Sequence, residues 1–239
     1  MIKRLTTLSL IVLVCLLAYF LLKPDANKQQ MRYGLPWDIK TFDNGTSEVF
    51  GLTLEQSTLA DAIELLGIDY EVAIIANQEN YAALEAYYSY FSSGPIRGKL
   101  IIVIDAPRQA LAKIQEDPAS SKYMASGARQ FTLKPEDMEQ AQQWPIKSLS
   151  FIPAVNLQQD MIEQRFGTPA STIREGETTS HLLYPEKGLD VILNAEAKEQ
   201  LQYVAPRSFK TLEQPLLELQ KSPQQAQQNS LPQSPSGTQ

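Results

Sequence analysis

The stretch Ser180–Leu193, SHLLYPEKGLDVIL, decides the fold class. Leu189, Val191 and Leu193 recur at period two and share one face of a strand. Pro185-Glu186-Lys187-Gly188 ahead of them supplies the turn that returns the chain from SHLLY. The segment therefore predicts an antiparallel hairpin. The same pattern stands earlier, where ALEAYYSY (83–90) leads through SSGPIRG into GKLIIVID (98–105). Tyr88 falls opposite Tyr184, and Leu100, Ile102 and Ile104 match Leu189, Val191 and Leu193. Glu85 takes the place of His181.

A short amphipathic helix precedes each hairpin. In STLADAIELLG (57–67), Leu59, Ala62, Ile63 and Leu66 lie on one helical face, Ser57 suits the N-cap and Gly67 the C-terminal turn. In NLQQDMIEQRFGTP (156–169), Asn156 is the expected cap and Leu157, Met161, Ile162 and Phe166 form the face; Gly167 and Pro169 end it. After the second hairpin EQLQYVAP reads as a further strand, whereas the first runs into PRQALAKIQED, which reads as helix. In KPEDMEQAQQW, Pro135 near a helix start and Glu136 and Asp137 in its first turn suit the macrodipole. The expected fold is α+β: two related helix-plus-antiparallel-sheet units, residues 35–110 and 150–219, joined by a mainly helical connection over 111–149.

The segment RFGTPASTIREGETTSHLLYPEKGLDVIL resembles the repeat of the β-lactamase-inhibitor-protein group and of the small outer-membrane-assembly lipoproteins of the OmlA/SmpA type. In both, a short helix ending in Gly-x-Pro leads into antiparallel strands. The first unit departs from that pattern, having LLGIDY where Gly-x-Pro is expected. The resemblance implies a protein that binds other proteins and has no catalytic residues.

The N-terminus sets the expected location. Leu5–Leu22 is a run of 18 residues without charge, preceded by Lys3 and Arg4. As a helix it spans ~27 Å against a hydrocarbon core of ~30 Å. The flanking cations place residues 1–4 in the cytoplasm and the remainder outside. No small-x-small cleavage pattern follows, and Val14 before Cys15 is wrong for lipidation, so 5–22 reads as an uncleaved signal anchor in a bacterial inner membrane with a periplasmic body. Residues 23–34 read as a tether, and 220–239, rich in Gln, Ser and Pro, as a disordered tail.

Composition excludes several functions. Removing Lys3, Arg4 and Lys23 from 21 basic residues leaves 18 against 27 acidic ones, a body charge of −9. An acidic body without a basic stripe is not a nucleic-acid binder. Cys15 is the single cysteine and His181 the single histidine, so no thiolate or multi-histidine metal site can form in the body. Glu175 and Glu177 in REGETT lack EF-hand spacing and read as a hairpin turn. Phosphate loops and the Gly-x-Ser-x-Gly elbow are absent from the sequence. No cofactor is expected.

His181 is the test case for catalysis. Ser180 points to the opposite strand face, while Asp190 lies across the hairpin within reach of the imidazole. The expected role is structural. Glu64, Asp69, Glu71 and Glu85 are the acids that sugar cleavage would draw on. The aromatic run YAALEAYYSYF gives the expected partner surface: Tyr87, Tyr88, Tyr90 and Phe91, with Tyr184 as the counterpart of Tyr88. As a strand, Ala86, Tyr88 and Tyr90 share one face and Tyr87 and Phe91 the other. The expected function is non-catalytic binding of an envelope protein partner. The alternatives are a cell-wall hydrolase or glycan-binding protein with a cleft between the units, and, more weakly, an inhibitor or regulator of an envelope enzyme.

Overall fold

The computed structural model describes residues 33–77 and 81–229, with side chains as far as residue 220. The expected anchor at 5–22 and most of the tether lie outside them. Among the described residues no helix is long and apolar enough to cross a membrane.

The chain opens with three short strands, β1 (Lys40–Thr41), β2 (Ser47–Val49) and β3 (Leu52–Thr53), which form a small sheet of their own. Helix α1 (Leu59–Leu66) follows, then β4 (Glu71–Ala76), β5 (Ala82–Ser93) and β6 (Ile96–Ile104). Next come α2 (Arg108–Glu116), β7 (Ser120–Tyr123), β8 (Arg129–Thr132), α3 (Pro135–Ala141) and β9 (Ile146–Pro153). The last part holds α4 (Gln159–Phe166), β10 (Ser171–Glu175), β11 (Thr179–Tyr184), β12 (Leu189–Asn194), β13 (Gln200–Val204) and α5 (Lys210–Asn229). Among the described residues the fold is α+β, with five helices and one antiparallel sheet of ten strands in the order β10-β11-β12-β13-β9-β6-β5-β4-β8-β7.

Both expected hairpins form with matching registers. Tyr88 pairs with Leu100 and Ala86 with Ile102; Tyr184 pairs with Leu189 and Leu182 with Val191. Both helices end at a glycine of nearly the same conformation, Gly67 at φ 94°, ψ −175° and Gly167 at φ 85°, ψ −172°. The caps at the other ends differ from expectation. Thr58, not Ser57, caps α1: its Oγ1 accepts from Asp61 N at 3.3 Å while Asp61 Oδ2 accepts from Thr58 N at 2.7 Å, a reciprocal box. Gln158 holds that position on α4 without a side-chain bond, and Asn156 instead accepts from Lys198 Nζ at 2.5 Å.

The sheet has two faces of different character. Leu84, Ala86, Tyr88, Leu100, Ile102, Leu149, Phe151, Tyr203, Val191 and Leu182 alternate onto the first face and are buried. That core also takes in residues of α1, α2, α3 and α4 and the β2–β3 segment. Phe50 is inserted there, with its ring centroid 5.1 Å from Phe91, 5.6 Å from Phe151 and 5.8 Å from Tyr203. At φ 54° it is one of two non-glycine residues in the left-handed region among the described residues. The second face is covered at one end: Phe209, Leu212 and Leu216 of α5 and the turn before it pack on Ile173, Leu183 and Val204.

Two expectations are corrected by the chain itself. The connection over 111–149 is not mainly helical, because β7 and β8 form a hairpin between α2 and α3. All four residues of β7 are exposed, so no apolar alternation marks it in the sequence. The segment expected to be disordered from 220 continues α5 as far as Asn229. Phe209, Leu212 and Leu216 anchor the start of α5 on the sheet, and the Gln and Ala that follow Pro223 are good helix formers. Residues 230–239 lie outside the described ones.

Candidate functional site

Strand β5 carries most of the expected aromatic surface, and a bulge redistributes it. The register of β5 on β6 shifts between Tyr88 and Phe91, so the period-two reading fails beyond Tyr88. Phe91 then returns to the buried face with Ala86 and Tyr88, where it is 4% exposed and stacked edge-on against Phe50 and Phe151. Tyr88 and Tyr184 are likewise buried, so these three rings are core and not partner surface. Tyr90 is exposed in the bulge, with the Arg97 guanidinium 5.9 Å from its ring centre. Tyr87 is half-buried and faces the other way, onto the second face.

Among the described residues no helix covers that second face over the first half of the sheet. One row of paired positions crosses it: Glu71, Tyr87, Ile101, Ser150, Gln202, Asp190, Leu183. Leu183, at its far end, lies under α5. Tyr87 and Ile101, at its near end, have no helix over them among the described residues and are partly exposed. The neighbouring row runs Thr132, Ala73, Glu85, Val103, Ser148. Glu71, Ala73, Ile75, Glu85, Tyr87 and Ile101, with Met124 and Gln130 from the β7–β8 hairpin, line a groove of about 340 Å³. Burial raises the pKa of Glu85 above the ordinary carboxylate value. Composition alone missed this groove, because Ile75, Glu85 and Ile101 come from three strands that look like ordinary alternation.

His181 sits on the same face at the covered end. Its Nδ1 lies 2.7 Å from Asp190 Oδ2, and its Nε2 lies 3.2 Å from Glu175 Oε2. The register explains the expected reach to Asp190: His181 opposes Ile192 and Leu183 opposes Asp190, which makes imidazole and carboxylate diagonal neighbours on one face. Burial disfavours the charged ring, but the hydrogen bonds and charges of Asp190 and Glu175 outweigh it, and the His181 pKa is raised. Burial raises that of Asp190, with the imidazole pulling against it. Among the described residues Asp190 Oδ1 has no hydrogen-bond partner.

This cluster has no catalytic layout. Both ring nitrogens are engaged by carboxylates, which leaves none to take a proton from a nucleophile. Ser180 pairs with Leu193 and points to the opposite face. Glu175 is committed to His181, Glu177 is exposed, and among the described residues no group of three acids, histidines or cysteines is placed to hold a metal. Of the four acids weighed for sugar cleavage, Glu71 and Glu85 share the groove, while Glu64 lies on α1. The seam on which a cleft was expected is filled, since β6 pairs with β9 and β9 with β13 as one continuous ladder.

No family model, curated protein or solved structure matches the chain.

Proposed function

We propose that this chain is a non-catalytic protein-binding or scaffolding module of the bacterial envelope, held at the inner membrane by residues 5–22 with its body in the periplasm. Its docking surface is the open half of the second sheet face. One observation carries this reading: Ile75, Tyr87 and Ile101 stand partly exposed on a sheet face whose other half is covered by α5. A sheet presenting apolar and aromatic side chains without a covering layer is a surface built to be covered by a partner. The matched registers and matched helix ends support an origin of the two halves by duplication, as in the group whose repeat the second half resembles. On this reading the duplication left one face capped by its own helix and the other free.

A photo-crosslinking residue in place of Tyr87 or Ile101, compared with one at the exposed Glu136 of α3, tests the surface in living cells. Discrete adducts from the two sheet positions and none from the helix are expected. Equal labelling at all three positions, or none at the sheet, would sink the proposal. Protease added to spheroplasts tests the location: the body is expected to be degraded, and its protection until lysis would place it in the cytoplasm.

The second reading is a glycan-directed one, with Glu71 and Glu85 as diagonal neighbours beside Tyr87 in the groove. Release of soluble fragments from purified peptidoglycan by the full chain, lost in Glu85→Gln, would favour it over scaffolding.

A further inference from the structure

We infer that the open groove receives a basic side chain of a partner protein, a lysine or arginine whose charge seats against Glu85 and whose alkyl stem lies on Tyr87 and Ile101. This rests on the reading of that face as a docking surface. The groove is mainly apolar, yet a carboxylate stands in the middle of it. Glu85 opposes Ala73 on one side and Val103 on the other. Among the described residues it has no hydrogen bond and no cation within 4.0 Å. A carboxylate drawn partly out of water without a counter-charge is a cost that nothing within the described chain offsets.

The other half of the sheet shows what such a position needs. By the hairpin registers Glu85 corresponds to His181, and His181 has its counter-charges inside the chain, at Asp190 and Glu175. There the charged group is paired and α5 covers the face; here, among the described residues, it is unpaired and no helix covers the face. The missing complement is therefore a cation from outside. Glu71 borders the same groove and deepens its negative potential. The cations that face this side, Lys99 on β6 and Lys122 on β7, form no ion pair with either acid. A purely apolar partner would bury Glu85 unpaired, and an acidic one would be repelled. A lysine or arginine satisfies both surfaces of the groove, because its stem covers apolar side chains while its head stays polar, and the Tyr87 ring adds cation–π attraction.

The probe is a displayed library of random 12-residue peptides, selected on the full chain in detergent micelles. Enriched peptides are expected to carry Lys or Arg beside an aromatic or aliphatic residue. They should bind Glu85→Gln about tenfold more weakly or worse, the equivalent of 1.4 kcal/mol. Selection on Glu85→Lys should return peptides bearing Asp or Glu instead. Thermal melts confirm that each variant is folded, and the composition of the wild-type selection needs no variant. Enriched peptides without a basic residue, or with equal affinity for Glu85→Gln, overturn the inference. If those peptides lose binding to Ile101→Asn, the docking face itself stands. If Ile101→Asn binds them as wild type does, or nothing is enriched, both readings fall.

Discussion

Tyr88 and Tyr184 make the same hydrogen bond in the two halves of the sheet. The Tyr88 hydroxyl donates to Gly67 O at 3.3 Å and that of Tyr184 to Gly167 O at 3.0 Å, each carbonyl belonging to the glycine that ends the unit's own helix. Each ring also tilts against an aromatic of the same unit, Tyr70 at 5.7 Å and Phe166 at 5.9 Å. Burial pushes both phenols up in pKa, that of Tyr184 to about 12. The hydroxyls therefore stay protonated and donating across the physiological range. The bond ties a helix end to the first strand of its hairpin, β5 or β11, and fixes how the helix lies on the first face.

Removing either hydroxyl has a defined cost. Tyr88→Phe and Tyr184→Phe should each destabilise by about 1 kcal/mol, the net value of one hydrogen bond. The two sites lie in different units without shared partners, so the double variant is expected to lose the sum. Urea melts followed by far-UV circular dichroism would measure this, and a loss much below ~0.5 kcal/mol would mean the bonds are exchanged freely for water.

The glycines that accept those bonds are held by conformation and not by crowding. A Cβ at Gly67 or Gly167 would meet nothing within 4 Å, yet their φ of 94° and 85° with ψ near 180° belong to a region open essentially only to glycine. Alanine at either is expected to cost about 1–3 kcal/mol through backbone strain. Gly98 is the contrasting case, since a Cβ there would lie 2.3 Å from Ile152 O and 2.6 Å from the Phe151 ring. Gly98→Ala should therefore fail by steric clash and lower the yield of folded protein more than either helix-end variant.

Those elements were legible because local signals agreed. Period-two alternation, turn residues and helix-ending glycines all lie within a few residues of one another in SHLLYPEKGLDVIL and its earlier counterpart. The reach from His181 to Asp190 was legible for the same reason, being set by one hairpin register. The aromatic run was misjudged because a bulge, which no side-chain pattern announces, turned Phe91 inward after Tyr88. The union of the halves into one sheet was hidden as well. It depends on β9 pairing with β6 and with β13, partners more than forty residues away, a separation that periodicity cannot encode.

The burial of Phe50 is the feature of the core least legible in the sequence. In DNGTSEVFGLTLEQ the Asn-Gly dipeptide signals a turn, yet nothing local announces that Val49, Phe50, Leu52 and Leu54 are almost wholly buried in the core of the first face. Arg207 Nε donates to Glu55 Oε2 at 2.6 Å, and the Ser208 hydroxyl bonds the same carboxylate, so this segment is also tied to the turn before α5. Phe50→Ala is expected to cost about 3–5 kcal/mol by leaving a cavity among Phe91, Phe151 and Tyr203. Denaturant titration should show a lower midpoint at unchanged slope; a slope change would indicate that the two halves then unfold separately.

The His181 cluster makes stability depend on pH with a definite sign. Its folded pKa is raised, so the stabilisation is fully present below the unfolded histidine value of about 6.5 and is lost as pH rises through the folded one. The raised pKa of Asp190 acts in a lower window: ionising that buried acid costs stability once pH passes the unfolded aspartate value. The melting temperature should therefore fall on the alkaline side of pH 6.5, and His181→Gln should flatten that slope. Removing the imidazole leaves Asp190 buried without a counter-charge, an expected loss of about 3–5 kcal/mol. Glu175 is half-exposed, so Glu175→Gln should cost under about 1 kcal/mol.

The pH dependence of stability at Glu85 separates a binding residue from a structural one. Burial raises its pKa, so its ionised form costs the free protein stability; the cost is absent at low pH and grows as pH rises above the unfolded glutamate value. Replacing it by glutamine keeps the shape and removes the charge. Glu85→Gln should melt about 1–2 °C above the wild type at pH 7, the scale of ~0.5 kcal/mol in a domain of this size, and at the same temperature near pH 3. A carboxylate held by a partner within the chain would behave in the opposite way, and its loss would lower the melting temperature at pH 7. The pH dependence thus distinguishes a charge that the fold uses from one that the fold tolerates. A variant that is more stable alone but poorer at binding a cationic peptide would place the use of Glu85 outside the chain.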